Sequence, residues 1–416
     1  MTAPKIEIMA PAGNFECLQA ALQSGAGSVY FGVEKLNMRS HSANNFTMED
    51  LPQVCERLHS AGVKGYLTLN IALFEDDMEA MRSTLDAAKK AGVDAVIASD
   101  IAAITYARSI GMEVHISTQL SVSNAEALRF WAQFADVIVL ARELNLDQVR
   151  RIHEVIVKEN ICGPSGRQVQ IEMFAHGALC MAISGKCYMS LHEMGSSANR
   201  GACLQICRRG YRVSDLETGR ELEIDGKYIM SPKDLCTIEF MDKIIDAGVT
   251  VFKIEGRARS AEYVWRTTSC YRRAADAVLD GTYTPEKAAS LKEELGEVFN
   301  RGFWDGYYQG ARLGEWSKVY GSDSTRTKVY CGKVTNWFAR LGVAEILVEA
   351  CPLRSGDEIL IIGSTSGVHQ LRAGEIRLEY DPVPEAPKGK LASVAVPAEG
   401  EHPRRGDKVY IWNKKK

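Results

Sequence analysis

Residues 6–33 read IEIMAPAGNFECLQAALQSGAGSVYFGV. An apolar run, IEIMAP, gives way to helical apolar spacing from Phe15 to about Gln23. A glycine-flanked break and a second apolar run, SVYFGV, follow. Near-continuous apolar strands on either side of an amphipathic helix describe a strand–helix–strand unit. Its strands should lie parallel and be covered on both faces. The alternation continues. Thr47, with Asp50 three residues on, gives a capping-box-like helix start. KGYLTLNIAL (64–73) precedes a helix around MEAMRSTLDAAKK, and DAVIAS precedes IAAITYARS, which ends at Gly111. EVHISTQL (113–120) leads to AEALRFWAQF, and DVIVLA to LDQVRRIHEVIVK. QVQIEMFA (168–175) and, much later, VTVFKIEG (249–256) complete eight strands.

Eight strand–helix alternations predict an α/β fold, a (β/α)8 TIM-like barrel over residues 1–275. An open doubly wound sheet is the rival, but Pro11-Ala12-Gly13-Asn14 is not its glycine fingerprint. The interval between the seventh and eighth strands, 178–248, is far longer than a usual connection and carries five of the 11 cysteines. Residues 276–326 read as a helical and aromatic linker, with Thr284-Pro285 opening a charged helix before RGFWDGYYQGARLG. Residues 327–416 read as short strands with turn signals, a small C-terminal antiparallel β-barrel.

The net charge of −3 excludes a molecule that attracts nucleic acid as a whole, so an RNA site must come from local clustering of Lys and Arg. No signal-like start and no run of ~18 apolar residues is seen, which sets the expectation of a cytoplasmic protein without a membrane span. Its cysteines are then expected as thiols rather than disulfides.

Barrel enzymes carry their chemistry at the C-terminal ends of the strands. Those ends supply Asn14; Asn37, Arg39 and His41; Asn70; Asp100; His115, Thr118, Gln119 and Ser121; Arg142-Glu143; Glu172 and His176; and Lys253, Glu255 and Arg257. This is a polar, arginine-containing mouth suited to an anionic small molecule or a phosphodiester. Arg39, Asn70, Gln119, Arg142, Glu255 and Arg257 are the candidate substrate-binding residues, with Arg39, Arg142 and Arg257 able to grip carboxylates. Glu172 and His176 are the candidate general acid and base. The alternative for Glu172 is an ion pair with Lys253 or Arg257 inside the barrel.

Within the long interval, Cys180, Cys187, Cys203 and Cys207 are spaced C-x6-C-x15-C-x3-C, and Cys236 follows in SPKDLC. Four thiolates on glycine-rich loops suit an iron–sulfur cluster or a structural zinc, and the spacing leaves the two open. Plain burial as small apolar side chains suits Cys17, Cys55, Cys162, Cys270, Cys331 and Cys351, which lie in apolar surroundings.

The runs EMFAHGALC (172–180) and SGKCYMS (184–190), with MAPAGNFECLQAALQSGAGSVYFG, NRGACLQICR, SPKDLC and FKIEGR, resemble the collagenase-like peptidase family, peptidases of unassigned catalytic type. The resemblance runs from about residue 6 to 275. Its better-understood branches are similar to oxygen-independent hydroxylases with a four-iron cluster and a dependence on prephenate. They act on the tRNA wobble uridine, on a 23S ribosomal RNA cytidine, or in ubiquinone synthesis. This chain most resembles the tRNA-hydroxylating branch, which implies tRNA as partner, prephenate as co-substrate and 5-hydroxyuridine as product. By motif, Cys180, Cys187 and Cys203 would hold a [4Fe-4S] cluster. Cys236 is slightly favoured as the fourth ligand, with Cys207 as its alternative.

Arg200, Arg208, Arg209 and Arg212 could hold RNA phosphates, and Tyr211 or RGFWDGYY could stack a base. Equally, the arginines could be solvated surface and the aromatics could seal the barrel. For a peptidase, neither HExxH nor a GxSxG elbow is present, which leaves a Cys180 nucleophile with His176.

Overall fold

The computed structural model describes residues 5–209, 212–219, 221–223, 231–319, 321–397 and 400–415. Seven parallel strands stand side by side in chain order: β1 (Glu7–Ala12), β2 (Ser28–Phe31), β3 (Lys64–Leu69), β4 (Ala95–Ala98), β5 (Glu113–Ile116), β6 (Val137–Val139) and β7 (Gln170–Gly177). The long interval then contributes a hairpin of β8 (Arg212–Ser214) and β9 (Glu221–Glu223), and β10 (Asp234–Cys236), before β11 (Val249–Ile254) returns. β11 pairs in parallel with both β7 and β1, so eight parallel strands close into the barrel that the alternation predicts.

The crossovers are α1 (Phe15–Gln23), α2 (Leu51–Ser60), α3 (Met78–Ala91), α4 (Ile101–Ser109), α5 (Ala125–Ala132) and α6 (Leu146–Glu159). Side chains that accept from orphan amides start several of them: Asn14 from Cys17 N (2.8 Å), Asp100 from Ala102 N, Asn124 from Ala127 N. Asn145 and Gln148 form a reciprocal box on α6, and Thr47 and Asp50 exchange bonds just ahead of α2. α7 (Met189–Met194) and α8 (Met241–Asp246) lie in the interval, and α9 (Ala261–Asp280) follows β11, crossing the expected boundary at 275.

Alternation along the strands builds two cores. Met9, Tyr30, Tyr66, Ala95, Ile97, Val137 and Val251 fill the barrel interior. Their neighbours, such as Ile8, Ala10, Val29, Val96 and Phe252, pack outward in the core shared with Leu18, Leu58 and Leu85 of the helices. Each of the larger aliphatic or aromatic side chains among them stabilises by about 1.5–3 kcal/mol.

α10 (Pro285–Gly296) is capped by Thr284, and β12 (Phe303–Trp304) adds to the barrel sheet in parallel with β10. Trp304 and Tyr308 are buried, and the Tyr308 hydroxyl donates to the Phe174 carbonyl at 2.8 Å, so this aromatic stretch seals the barrel. From Arg326 onward the chain forms an eight-stranded antiparallel sheet around Val334, Ile346, Ile361, Val394 and Val409. It docks on α1 and α9, where Gln23 exchanges two bonds with the Val368 backbone (2.9 and 2.8 Å) and Lys328 pairs with Glu262 at 2.8 Å. Among the described residues no helix is long and apolar enough to cross a membrane.

Gly13, in the loop after β1, lets that backbone meet the loop after β11. A Cβ there would lie 2.2 Å from the Arg257 carbonyl oxygen, which is backbone and cannot swing aside. Gly13→Ala should therefore destabilise the protein by about 1–3 kcal/mol, read by thermal denaturation. An unchanged melting temperature would show that the two loops do not meet.

Candidate active site

The interval after β7 folds back over the C-terminal ends of the strands as a lid. Arg200 anchors it to the loop after β3: it pairs with Asp77 at 2.7 Å, donates to the Ala72 carbonyl at 2.9 Å and lies 3.9 Å over the Phe74 ring. Arg200 is thereby spent on the lid rather than free for RNA. Ala72 N donates to the Asn199 carbonyl, His41 N to Gly201, and Arg142 to the Ser184 hydroxyl at 2.6 Å. Gly185 approaches Gln119 so closely that a Cβ would meet its Cγ at 2.6 Å, at a φ of +70°.

Beneath the lid is a cavity of about 230 Å³. All six expected substrate-binding residues, Arg39, Asn70, Gln119, Arg142, Glu255 and Arg257, line it. Glu255 accepts from Arg39 Nη2 at 2.7 Å and Nε at 3.2 Å, and from the Tyr30 hydroxyl at 3.3 Å. Burial pushes its carboxyl up, but Arg39, Arg257 and Arg142 outweigh this and hold it at about 2. Arg257 donates to Thr68 Oγ1 at 2.9 Å, and burial lowers its guanidinium to about 10. Arg142 lies over the Phe174 ring at 5.2 Å. Gln119 donates to the Asn70 carbonyl at 3.1 Å and bonds Ser117.

A second charged group joins Arg208, an expected phosphate-holding residue, to two arginines that sequence reasoning missed, Arg259 and Arg301. Arg208, Arg259 and Arg301 also line the cavity, and all three surround the buried carboxylate of Asp234. Burial raises the Asp234 carboxyl, and the three arginines oppose that. Arg259 stands two residues after Arg257 on the same loop and was within reach of the strand-end rule. Arg301 opens an aromatic run and gave no such signal. Of the remaining RNA candidates, Arg209 is exposed, while Tyr211 and the Arg212 side chain lie outside the described residues.

Four thiols share this cavity: Cys180 just past β7, Cys187 ahead of α7, Cys203 in the following loop and Cys207 in the tight turn Ile206–Arg208. They are near enough to interact, since burial and then the charges of Cys180, Cys203 and Cys187 raise the Cys207 thiol against the pull of Arg208. Among the described residues no three His, Cys, Asp or Glu side chains close on a common metal position. The four thiols form one shared stretch of the cavity wall. Cys236, favoured from sequence, is not with them. It is buried on β10 opposite His176, within reach of the Tyr271 hydroxyl (3.9 Å), and burial pushes its thiol up to about 11. Cys207 is the fourth thiol at the cavity.

The expected acid–base pair does not reach the cavity wall. Glu172 is buried in the barrel and accepts from Lys253 Nζ at 2.7 Å, its alternative reading. Lys253 does line the cavity, over the Tyr30 ring at 4.8 Å. His176 should share the inward face of Glu172 and Phe174, but the β7–β11 register shifts between Phe174 and His176, and this bulge turns the ring outward. There it packs among Tyr263, Tyr271 and Phe303. Burial, then the charge of Arg259, lower its imidazole to about 3.

A (β/α)8 barrel with a lidded, arginine-rich and thiol-walled mouth has the form of a barrel enzyme. Peptidase family U32 matches residues 13–318, and the chain belongs to that family. A Porphyromonas gingivalis protein named collagenase is 58% identical over 415 residues, covering all of both chains. The tRNA hydroxylation protein P1 of Bacillus subtilis is 35% identical over 344 residues, 80% of this chain and 78% of its own. A 23S rRNA 5-hydroxycytidine synthase of Escherichia coli is 35% identical over 322 residues, 76% of this chain and 47% of its own.

Two predictions follow from the buried charges. Lys253→Met strands the Glu172 carboxylate and should cost about 3–5 kcal/mol in chemical denaturation. Adding Glu172→Met should recover most of that loss, and a single variant as stable as wild type would mean the pair is not buried. His176 stays neutral when folded but titrates near 6.5 when unfolded, so the unfolded chain binds the extra proton between about 6.5 and about 3. Its contribution to stability is complete above that window and is lost as pH falls through it, by up to about 1.4 kcal/mol per pH unit. His176→Gln should flatten the acid limb of the stability–pH curve, and an unaltered limb would mean that the ring is solvated.

Proposed function

We propose that this chain hydroxylates a base of RNA, with the tRNA wobble uridine as substrate, 5-hydroxyuridine as product and prephenate as co-substrate. In this reading Cys180, Cys187, Cys203 and Cys207 hold a [4Fe-4S] cluster. The observation that carries it is the convergence of four lid thiols and two arginine groups on one cavity at the barrel mouth. Soft thiolates suit iron, and their number suits a four-iron centre. Such a cluster, when bound, would supply one-electron chemistry beside the substrate.

The chain's own residues do the rest. Arg142 and Arg257 face Glu255 without a contact-distance ion pair among the described residues and can grip the carboxylates of a small dianion as forks. Glu255 holds Arg39 in place beside them. The Asn70 and Gln119 amides can offer hydrogen bonds to its neutral oxygens. Relatives named for tRNA hydroxylation and for 5-hydroxycytidine synthesis support the reaction class.

The collagenase-named relative supports a second reading, peptide hydrolysis. Cys180 is an exposed thiol at the cavity, but among the described residues no histidine lines that cavity, and His176 is buried on the outer face. A thiol–imidazole pair is therefore not at hand, which favours the hydroxylase.

Anaerobically purified protein should be brown, with roughly four iron and four sulfide per chain. Cys207→Ser should lose the colour and Cys236→Ser keep it. Colourless protein with stoichiometric zinc would sink the cluster, and the reverse pattern of the two variants would return the fourth place to Cys236. In a deletion strain without a second copy of the gene, nucleoside analysis should show loss of 5-hydroxyuridine derivatives from tRNA. An unchanged profile, with cleavage of denatured collagen that Cys180→Ala abolishes, would establish the peptidase instead.

A further inference from the structure

The cavity has two arginine groups, each built around one carboxylate, and they differ in kind. Arg39, Arg142 and Arg257 surround Glu255. They stand among the amides of Asn70 and Gln119 and the hydroxyls of Thr68 and Ser117, polar surroundings that suit a compact acid. Arg208, Arg259 and Arg301 surround Asp234 and come from three separate segments: the lid turn Ile206–Arg208, the loop after β11 and the turn between α10 and β12.

Only Arg301 touches the carboxylate, Nη1 to Oδ1 at 3.4 Å. Arg208 spends its donors on neutral oxygens: Ser231 Oγ at 2.9 Å, the Leu179 carbonyl at 3.0 Å and the Pro232 carbonyl at 3.4 Å. Arg259 and Arg301 lie over one ring, Phe299, at 3.5 and 5.0 Å. Only Arg301 pairs directly with that carboxylate, while Arg259 also faces Glu255 and Arg208 the Cys180 and Cys207 thiols, so the three cations are only partly compensated. Their mutual repulsion is relieved when an oxyanion binds.

We propose that Arg208, Arg259 and Arg301 form a phosphodiester subsite at the rim of the cavity, which holds the RNA strand while the Glu255-centred group takes the small acid. This rests on the RNA reading above and assigns which residues meet the polymer. The surroundings favour a strand over a second small molecule. Ala258 and Ser260, on either side of Arg259, are exposed, as is Arg209 next to Arg208. The lid segment beside them exposes Met181, Ile183, Tyr188 and Leu204, with Tyr188 69% accessible. An unstacked base finds an apolar and aromatic face there, and guanidinium forks fit phosphate oxygens.

The test measures binding of a fluorescent anticodon stem–loop RNA to the full-length protein across a salt series. Arg259→Gln and Arg301→Gln should each weaken binding about tenfold and reduce the salt slope by roughly one. Arg259→Lys should keep the slope and lose part of the affinity, because the charge stays and the fork goes. Arg142→Gln should leave RNA affinity in place and weaken prephenate retention. Unchanged affinity and slope in Arg259→Gln and Arg301→Gln variants that melt like wild type would overturn the subsite. So would an equal loss of slope in Arg259→Lys, or prephenate displacing the RNA competitively. A wild type that hydroxylates RNA while these variants bind normally defeats the subsite alone; a wild type that binds no RNA defeats the RNA reading itself.

Discussion

The seam between β7 and β11 is the constraint on which the rest of the molecule depends. The chain leaves the barrel after Gly177, builds an entire lid and must return to insert β11 between β7 and β1. The buried bridge between Glu172 and Lys253 spans that seam at 2.7 Å. Because side chains alternate, a slip of one residue would send Lys253 outward and bring Phe252 in, leaving Glu172 alone in the barrel. Correct closure therefore also sets the order in which Glu255, Arg257 and Arg259 emerge at the mouth. The same seam holds the bulge that removes His176 from the interior and gives it to the aromatic packing of α9.

Closure and lid together explain the electrostatics. Arg39, Arg142, Arg208, Lys253, Arg257, Arg259 and Arg301 line the cavity, and Glu255 is the one carboxylate among its described lining residues. Such an excess of buried positive charge is costly unless paired or filled. The fold meets part of that cost with aromatic faces: Phe174 under Arg142, Phe299 under Arg259 and Arg301, Tyr30 under Lys253. The remainder is an affinity for anions built into the resting protein. The lid is bonded to the loops after β2, β3 and β6 and pressed against Gln119 after β5, so this field is enclosed rather than spread over an open surface.

Much of this was legible in the residues, and the failures have physical causes. Periodicity located all eight strands, because fully covered parallel strands must be apolar throughout. The strand-end rule found Arg39, Asn70, Gln119, Arg142, Glu255 and Arg257, because barrel geometry puts those positions at one mouth whatever the loops do. His176 was misplaced because a bulge at Ala175 leaves no mark in the pattern of two. Cys236 stands apart from the four cavity thiols, and spacing does not reveal that SPKDLC ends in a strand antiparallel to β7, with its thiol under Tyr271. Arg301 lies far from the mouth in sequence, and only the pairing of β12 with β10 brings it there.

The family's two names ask for two different kinds of site, and a barrel hosts either, so the fold does not choose between them. Peptide hydrolysis needs a group that removes a proton from a nucleophile near neutral pH. Within the described cavity the basic candidates are disabled. Glu255 is held ionised at about 2 and is occupied by Arg39, and Lys253 is bound to Glu172. Burial and the Glu255 charge push the Tyr30 hydroxyl well above its ordinary range, which keeps it a donor. What remains is a wall of donors and cations facing four thiols. It is arranged to hold anions and stabilise negative charge, with little capacity to take up a proton. Chemistry on a bound anion suits that wall better than chemistry that depends on a base.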